Sequence, residues 1–198
     1  IAGVLRCART IKSYTAEEEK ATVLDPLFGA LTANKYLEDR ISGAILSEEE
    51  IADNASPALS DIRRHMRIQA AKVKDGLQKI ISSPAYSKFL REPIITIRQG
   101  RYVVPVKSEC RGDVPGLVHD VSATGSTYFV EPMSAVNANN ALRELELKEK
   151  KEIERILAEL SGEAAAHRED INMDVKLLVQ LDVIFAKARL AYRMHAWA

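Results

Sequence analysis

The sequence predicts a mainly α-helical protein in which a helical core or lever carries a long antiparallel coiled-coil arm with a small four-stranded antiparallel β-sheet at its tip. Apolar residues recur every three or four positions in both halves of the chain, as in amphipathic helices. Residues 93–132 contain instead four short runs of β-branched and aromatic residues. The length of 198 residues and the 46% of hydrophobic side chains are typical of a folded globular protein.

These patterns divide the chain into five segments. Residues 1–56 start the helical core or lever, and residues 57–92 form the ascending arm helix. Residues 93–132 form the β-sheet clamp tip. The descending arm helix follows at residues 133–165, and the helical lever ends the chain at residues 166–198. The ascending helix begins at Ser56-Pro57, because Ser is a favoured N-cap and Pro suits the first helical position. We expect it to run to about Ser83.

Each arm helix has a narrow apolar stripe. The first stripe consists of Leu59, Ile62, Met66, Val73, Leu77 and Ile80. The second consists of Leu142, Leu145, Ile153, Ile156 and Leu160. One partner helix is enough to cover a stripe of this width, so we predict that the two helices pack antiparallel on each other in a coiled-coil seam.

The tip should contain four antiparallel strands. The β-branched runs lie at Ile94–Ile97, Tyr102–Val106, Leu117–Val121 and Thr127–Val130. Gln99-Gly100 and Ala123–Ser126 supply the turn chemistry between them, with glycine available for positive φ. Pro105 cannot donate to a ladder, so we expect the second strand to be an edge there or to carry a bulge.

Composition excludes several classes of protein. Lys plus Arg and Asp plus Glu both total 28, so the net charge is zero and any polyanion must bind at a local patch. No apolar stretch approaches the roughly 20 residues of a membrane span, and we expect a cytoplasmic protein without membrane contact. Cys7 and Cys110 are isolated, as in reduced structural cysteines. The chain starts at Ile1 inside a helical pattern, which indicates a piece of a longer protein.

Enzymatic sites are poorly supported. His119 and Asp120 lie beside serine and threonine hydroxyls, but adjacent residues of a regular strand point to opposite faces and cannot form a dyad by adjacency. The four histidines lack the spacing of zinc ligands, and there is no GxxxxGK[ST] or GxGxxG loop for a nucleotide. We predict that this chain is not an enzyme and holds neither a cofactor nor a metal.

Local charge suggests where a polyanion could bind. Between residues 61 and 79, six basic residues oppose two acidic ones. Helical spacing puts Arg63 and Arg67 on one face, and likewise Arg64 and Arg67. This pattern fits either a polyanion-contacting stripe or a solvated face that keeps the arm soluble.

The sheet carries a second set of cations beside its turns. They are Arg98, Arg101, Lys107 and Arg111. Cations with small hydroxyls and loop amides are typical of phosphate-contacting surfaces, although nearby acidic residues dilute this patch. The alternative is a structural or protein-docking sheet. We place nucleic-acid contact first at these four residues and second at Arg63, Arg64 and Arg67.

Residues 98–157 contain three distinctive elements in order. They are GRYVVPVK, GLVHDVSATGSTYFVEP and NNALRELE. Together they resemble the second bacterial MutS branch (MutS-two). The flanks at Asp53–Ser56 and Leu181–Arg189 fit the same family, so the resemblance covers nearly the whole chain.

The resemblance implies the core or lever and the clamp of a larger protein. Proteins of this family are dimeric ATPases that use ATP and Mg²⁺ and embrace nucleic acid, and most end in a nuclease-type Smr domain. Their implied roles are restraint of DNA recombination and, in some members, splitting of collided ribosomes. Ribosomal RNA would then be a second binding partner. The ATPase and Smr motifs do not occur in these residues.

Two functions remain open. The first is a nonenzymatic lever and clamp that contacts the backbone of DNA, or of ribosomal RNA, without reading sequence. The second is a structural coiled-coil module that docks a partner protein or the other protomer. Steep salt dependence of binding favours the first, and salt-insensitive self-association favours the second.

Overall fold

The computed structural model describes residues 1–16 and 21–196, which form two compact units. One unit comprises Ile1–Ala55 and Glu154–Ala198, and the other comprises Ser56–Ile153. Helices dominate the chain, and a single four-stranded antiparallel sheet lies in the second unit among the described residues. The predicted fold class is confirmed.

The first unit is helical. Its helices are α1 (Ala2–Thr15), α2 (Asp25–Ala30), α3 (Lys35–Ala44), the end of α6 (Met133–Ala166) and α7 (Arg168–Arg193). Leu5, Leu37 and Ile171 pack together and join α1, α3 and α7. Glu38 is buried between α1 and α3, and its carboxylate pairs with Arg9 at 2.7 Å and with Arg6 at 3.3 Å. Apolar packing and this ion-pair group together hold the helices.

In the second unit, the sheet lies between two long helices in the order of the chain. Its elements are α4 (Pro57–Ile81), α5 (Pro84–Ser87), β1 (Thr96–Arg98), β2 (Arg101–Lys107), β3 (Gly116–Val121), β4 (Thr127–Pro132) and the start of α6. The strand order is β1-β2-β4-β3, and all neighbours are antiparallel. The change to β-branched residues therefore predicted the sheet correctly.

Helix α4 begins as predicted. The amide of Leu59 donates to the Ser56 hydroxyl at 3.0 Å, and Pro57 is the first helical residue. The helix ends at Ile81, two residues before the expected end. The five-segment division of the chain stays a prediction.

The two arm helices run antiparallel where they meet. Ser56 donates to Glu152 at 2.6 Å, and Arg63 donates to Glu149 at 2.7 Å, so α4 rises as α6 descends. The knobs-into-holes packing of a coiled coil stays a prediction. The distal part of the α4 stripe has a different role: Leu77 belongs to the core between α4 and the sheet, so its predicted place in an interhelical seam is wrong.

That core occupies one face of the sheet. It is built from Val73, Leu77, Ile81, Leu90, Val104, Val106, Val114, Val130 and Ala135. Since side chains alternate along a strand, Val103, Pro105, Phe129 and Glu131 point to the other face, which we call the opposite face. Arg98 pairs with Arg101 and so lies on the opposite face too.

The turns of the sheet have the predicted chemistry. Gln99 and Gly100 have φ of 52° and 74°, as a two-residue hairpin requires, and Gly125 in the second turn has φ of 69°. Pro105 lies beyond the residues that pair with β1, and its carbonyl accepts from the Arg91 amide at 2.9 Å. A single bridge between Leu90 and Val106, rather than a ladder, covers β2 here, so the prediction of an edge or a bulge at Pro105 is not confirmed.

A register shift in β3 changes one prediction. Val118 pairs with Val130, but Asp120 already pairs with Phe129, so His119 is an extra residue in the ladder. This bulge brings His119 and Asp120 to the same face, and the expectation that they point apart is wrong.

In the described part of the chain, no helix is both long and apolar enough to cross a membrane.

Candidate nucleic-acid interface

The four predicted tip cations form two pairs rather than one cluster. Arg98 and Arg101 flank the β1–β2 turn, whereas Lys107 ends β2 and Arg111 follows the short 3-10 helix after it. Arg101 and Lys107 are six positions apart along β2, which places their backbones about 20 Å apart at ~3.3 Å per residue. The two pairs must therefore be considered as separate surfaces.

Arg98 is held flat on the opposite face. Its guanidinium carbon is 4.1 Å from the centre of the Phe129 ring, and its Nε is 3.3 Å from the Asp120 carboxylate. Its Nη1 donates to the carbonyl of Ile97 at 3.0 Å and to the Thr96 hydroxyl at 3.4 Å. The side chain nevertheless remains 39% exposed.

Arg101 belongs to a buried polar network centred on Glu131. The Glu131 side chain is fully buried, and its carboxylate is 3.0 Å from Arg101 Nη1 and 2.5 Å from His119 Nε2. A carboxylate in this position requires several donors, because burial of an unpaired charge is costly. Arg101 is 24% exposed and is bound to a structural partner, which makes it a weaker candidate for phosphate than Arg98.

Asn139 of α6 completes the network. Its Nδ2 donates to Glu131 at 2.7 Å and to the carbonyl of Tyr102 at 3.1 Å, and its Oδ1 accepts from the Tyr102 amide at 3.2 Å. The register of β2 and β4 places Pro132 opposite Tyr102, and because Pro132 has no N–H, the Asn139 side-chain amide supplies the hydrogen bonds to Tyr102 instead. Sequence reasoning missed this network, although its members come from all three motif elements.

The network keeps Glu131 ionised. Burial alone would raise the pKa of Glu131, but hydrogen bonds from Asn139, His119 and Arg101 outweigh it and lower the pKa below its ordinary value. Folding therefore favours the charged carboxylate, which holds its three donors in place.

Lys107 and Arg111 have neutral partners instead. Lys107 Nζ donates to the carbonyl of Lys88 at 2.9 Å, and the Arg111 guanidinium lies 5.4 Å from the centre of the Tyr128 ring. Within residues 1–16 and 21–196, neither side chain forms an ion pair with a carboxylate. Neither charge is therefore neutralised by a direct ion pair.

The backbones of two further basic residues contact this part of β2, and sequence reasoning missed both residues. Lys88 contacts Lys107 through its carbonyl, and the Arg91 amide pairs with β2 at Pro105. Glu109 opposes them: hydrogen bonds from its own amide and from Ser108, helped by the charges of Lys107 and Arg91, lower its pKa, so it is ionised at neutral pH. The signal in the sequence was the short basic segment before β1.

The arm arginines are largely engaged within the chain. Arg63 pairs with Glu149 on α6 and is only 20% exposed, whereas Arg64 is exposed and pairs with Asp61 on its own helix. Arg67 is exposed and also has a partner. An exposed pair such as Arg64 and Asp61 contributes little stability.

The bulge at His119 does not assemble a catalytic dyad from neighbouring residues. His119 contacts Glu131, while Asp120 contacts Arg98 and accepts from the Val121 amide at 2.8 Å. The described residues also contain no cluster of three metal-ligating side chains. His119 and Asp120 thus have different partners within the sheet.

The chain is similar to known proteins over nearly its whole length. It is 50% identical over 194 residues to Endonuclease MutS2 of Ruminiclostridium cellulolyticum and to that of Acetivibrio thermocellus, which covers 96% of this chain and 24% of each relative. It is 48% identical over 199 residues to Endonuclease MutS2 of Pelotomaculum thermopropionicum, covering 100% of this chain and 25% of that protein.

No family model matches the chain. The identities of 48% and 50% nevertheless extend over both compact units and include the three elements within residues 98–157. The chain spans about one quarter of the length of these curated relatives. It is thus a relative of the MutS-two branch and corresponds to one segment of those proteins, as its motifs predicted.

Proposed function

We propose that this chain is the nonenzymatic lever and clamp of a MutS-like ATPase and contacts the nucleic-acid backbone without sequence specificity. The observation that carries the proposal is the pair Lys107 and Arg111, neither of which forms a direct ion pair with a carboxylate among the described residues, although Glu109 lies near Lys107. Cations that contact phosphates position a protein on nucleic acid and carry no base information. Specificity would then come from the shape of the substrate.

The arm provides a secondary surface in this proposal. Arg64 and Arg67 are exposed on α4, and a phosphate could replace the solvent-screened partner of Arg64. Arg63 and Arg101 contribute mainly by holding α6 and Glu131 in place.

The relatives' name, Endonuclease MutS2, concerns proteins about four times as long as this chain. For the whole protein we propose a cytoplasmic homodimeric ATPase using ATP and Mg²⁺, with DNA as the first target and ribosomal RNA as the second. Nuclease activity would belong to a segment outside these residues.

The test is a salt series of binding titrations on two unrelated DNA duplexes. If Lys107 and Arg111 each neutralise one phosphate, replacing both with Ala should reduce the slope of log affinity against log salt by about two, at slightly under one unit per contact. The reduction should be equal on both duplexes. We expect a parent dissociation constant on the order of 10⁻⁴ to 10⁻⁶ M at physiological salt.

Arg155→Ala is the matched control, because Arg155 is an exposed cation of α6 that pairs with Glu159 on the same helix. It should leave the slope unchanged. An unchanged slope in the Lys107/Arg111 double variant would remove this surface from nucleic-acid contact. Salt-insensitive self-association of the chain would then favour the docking or dimerisation module.

A further inference from the structure

The surface around Arg98 differs from the Lys107 and Arg111 surface in charge. On the opposite face, the guanidinium groups of Arg98 and Arg101 lie beside the carboxylates of Asp120 and Glu131. The two positive charges are thus balanced by two negative ones. A phosphate gains little from such a surface, because nearby carboxylates repel it.

The shape of this surface suits an uncharged planar group. Phe129 covers one face of the Arg98 guanidinium at 4.1 Å, and the partners Asp120, Ile97 and Thr96 bind at its Nε and Nη1 edges. The side chain as a whole is 39% exposed, and no described residue bonds to its Nη2. A guanidinium that stacks on one ring and is still partly open to solvent remains.

We propose that Arg98, stacked on Phe129, is a binding platform for one unpaired nucleobase. Unpaired bases stack on aromatic rings and on arginine guanidinium planes, and a base inside a duplex cannot reach such a platform. The ring beneath and the bonds at the edge hold the plane in place before binding, which reduces the entropy lost on stacking. The platform therefore selects single strands, junctions or loops over intact duplex.

This inference rests on the proposed function and makes it more specific. Lys107 and Arg111 would supply the salt-dependent contact with phosphates, whereas Arg98 would supply a base contact that needs no net charge. The two contributions can be separated by substitution, because different side chains make them, although Phe129 pairs with Pro105, two residues before Lys107 on β2.

The experiment compares binding of the full chain to two single strands of equal length. One is an oligothymidine, and the other has the same phosphates but is abasic at every position. Base stacking should make the parent bind oligothymidine about 5- to 150-fold more tightly than the abasic strand. Arg98→Lys keeps the positive charge but removes the plane, so this ratio should fall to about one while the salt slope stays unchanged.

Arg155→Lys is the control variant and should retain the parent ratio. As a second readout, 2-aminopurine placed within the single strand should lose fluorescence on binding the parent, which tests stacking without any substitution. Equal binding of both strands by the parent, undiminished preference in Arg98→Lys, or unquenched 2-aminopurine would overturn the platform. Salt-dependent binding without base preference would contradict this inference but not the proposed function. If the chain bound neither single strands nor duplex, the proposed function would be contradicted as well.

Discussion

Replacing Glu131 with Ala tests whether the polar network holds the sheet to α6. The Glu131 side chain is fully buried, and its loss leaves Arg101 and His119 without their acceptor. Removing one partner of a buried ion pair costs about 3–5 kcal/mol. Arg101 and His119 remain 24% and 18% exposed and can regain water. We therefore expect Glu131→Ala to lower the free energy of unfolding by about 3 kcal/mol, near the lower limit of this range.

Native-state hydrogen exchange measures this cost locally, because the Tyr102 amide donates to Asn139. A loss of about 3 kcal/mol should lower its protection about 150-fold. Glu109→Ala removes an exposed carboxylate from the same unit and should change stability by less than about 0.5 kcal/mol. Equal protection in the two variants would refute a stabilising role for the network.

Acidification should have a related effect. The pKa of Glu131 is lower in the folded protein than its ordinary value, so ionised Glu131 stabilises the fold above the ordinary glutamate range. This contribution should disappear as pH falls through the lowered value. Glu131→Gln should show a weaker loss of Tyr102 protection between pH 7 and acid than the parent shows.

Three further variants test packing and burial. Leu77→Ala should lower the free energy of unfolding by about 2–5 kcal/mol, because Leu77 is fully buried against the sheet. Leu145 is only half-buried, so Leu145→Ala should lower it by less. Equal melting temperatures of the two variants would contradict this order. Gly116→Ala should lower the free energy of unfolding in urea by about 1–3 kcal/mol, since its Cβ would clash with the backbone carbonyl of Glu131; an unchanged midpoint would argue against this close approach. Asp174→Asn should raise the melting temperature at neutral pH, because burial raises the pKa of Asp174 and its charged form therefore destabilises the fold once pH exceeds the ordinary aspartate value. The gain should vanish in acid, and exposed Asp182→Asn should show no such gain.

Local signals in the sequence were reliable. Ser56-Pro57 predicted the start of α4 because an N-cap depends on the next few residues alone. Gln99-Gly100 predicted the first hairpin for the same reason, since a two-residue turn requires positive φ within a few positions.

Non-local features were harder to predict. Helical periodicity shows that Leu77 is buried but not that a sheet, rather than a helix, covers it. The partners of Arg98 and Arg101 lie on β3 and β4, which become neighbours only through the strand order β1-β2-β4-β3. The bulge at His119 likewise depends on pairing with β4 and has no local signature.

The amide of Asn139 has a consequence for aggregation. Where β4 stops pairing, Tyr102 would otherwise present an unmatched N–H and C=O, and such groups can recruit a strand from another molecule. Asn139 satisfies both groups from a helix, so β2 offers no template at this point. Deamidation to aspartate would remove the donor and place a second negative charge beside Glu131. Chemical ageing of this single side chain would therefore leave the Tyr102 carbonyl without its donor and expose an unpaired acceptor on β2.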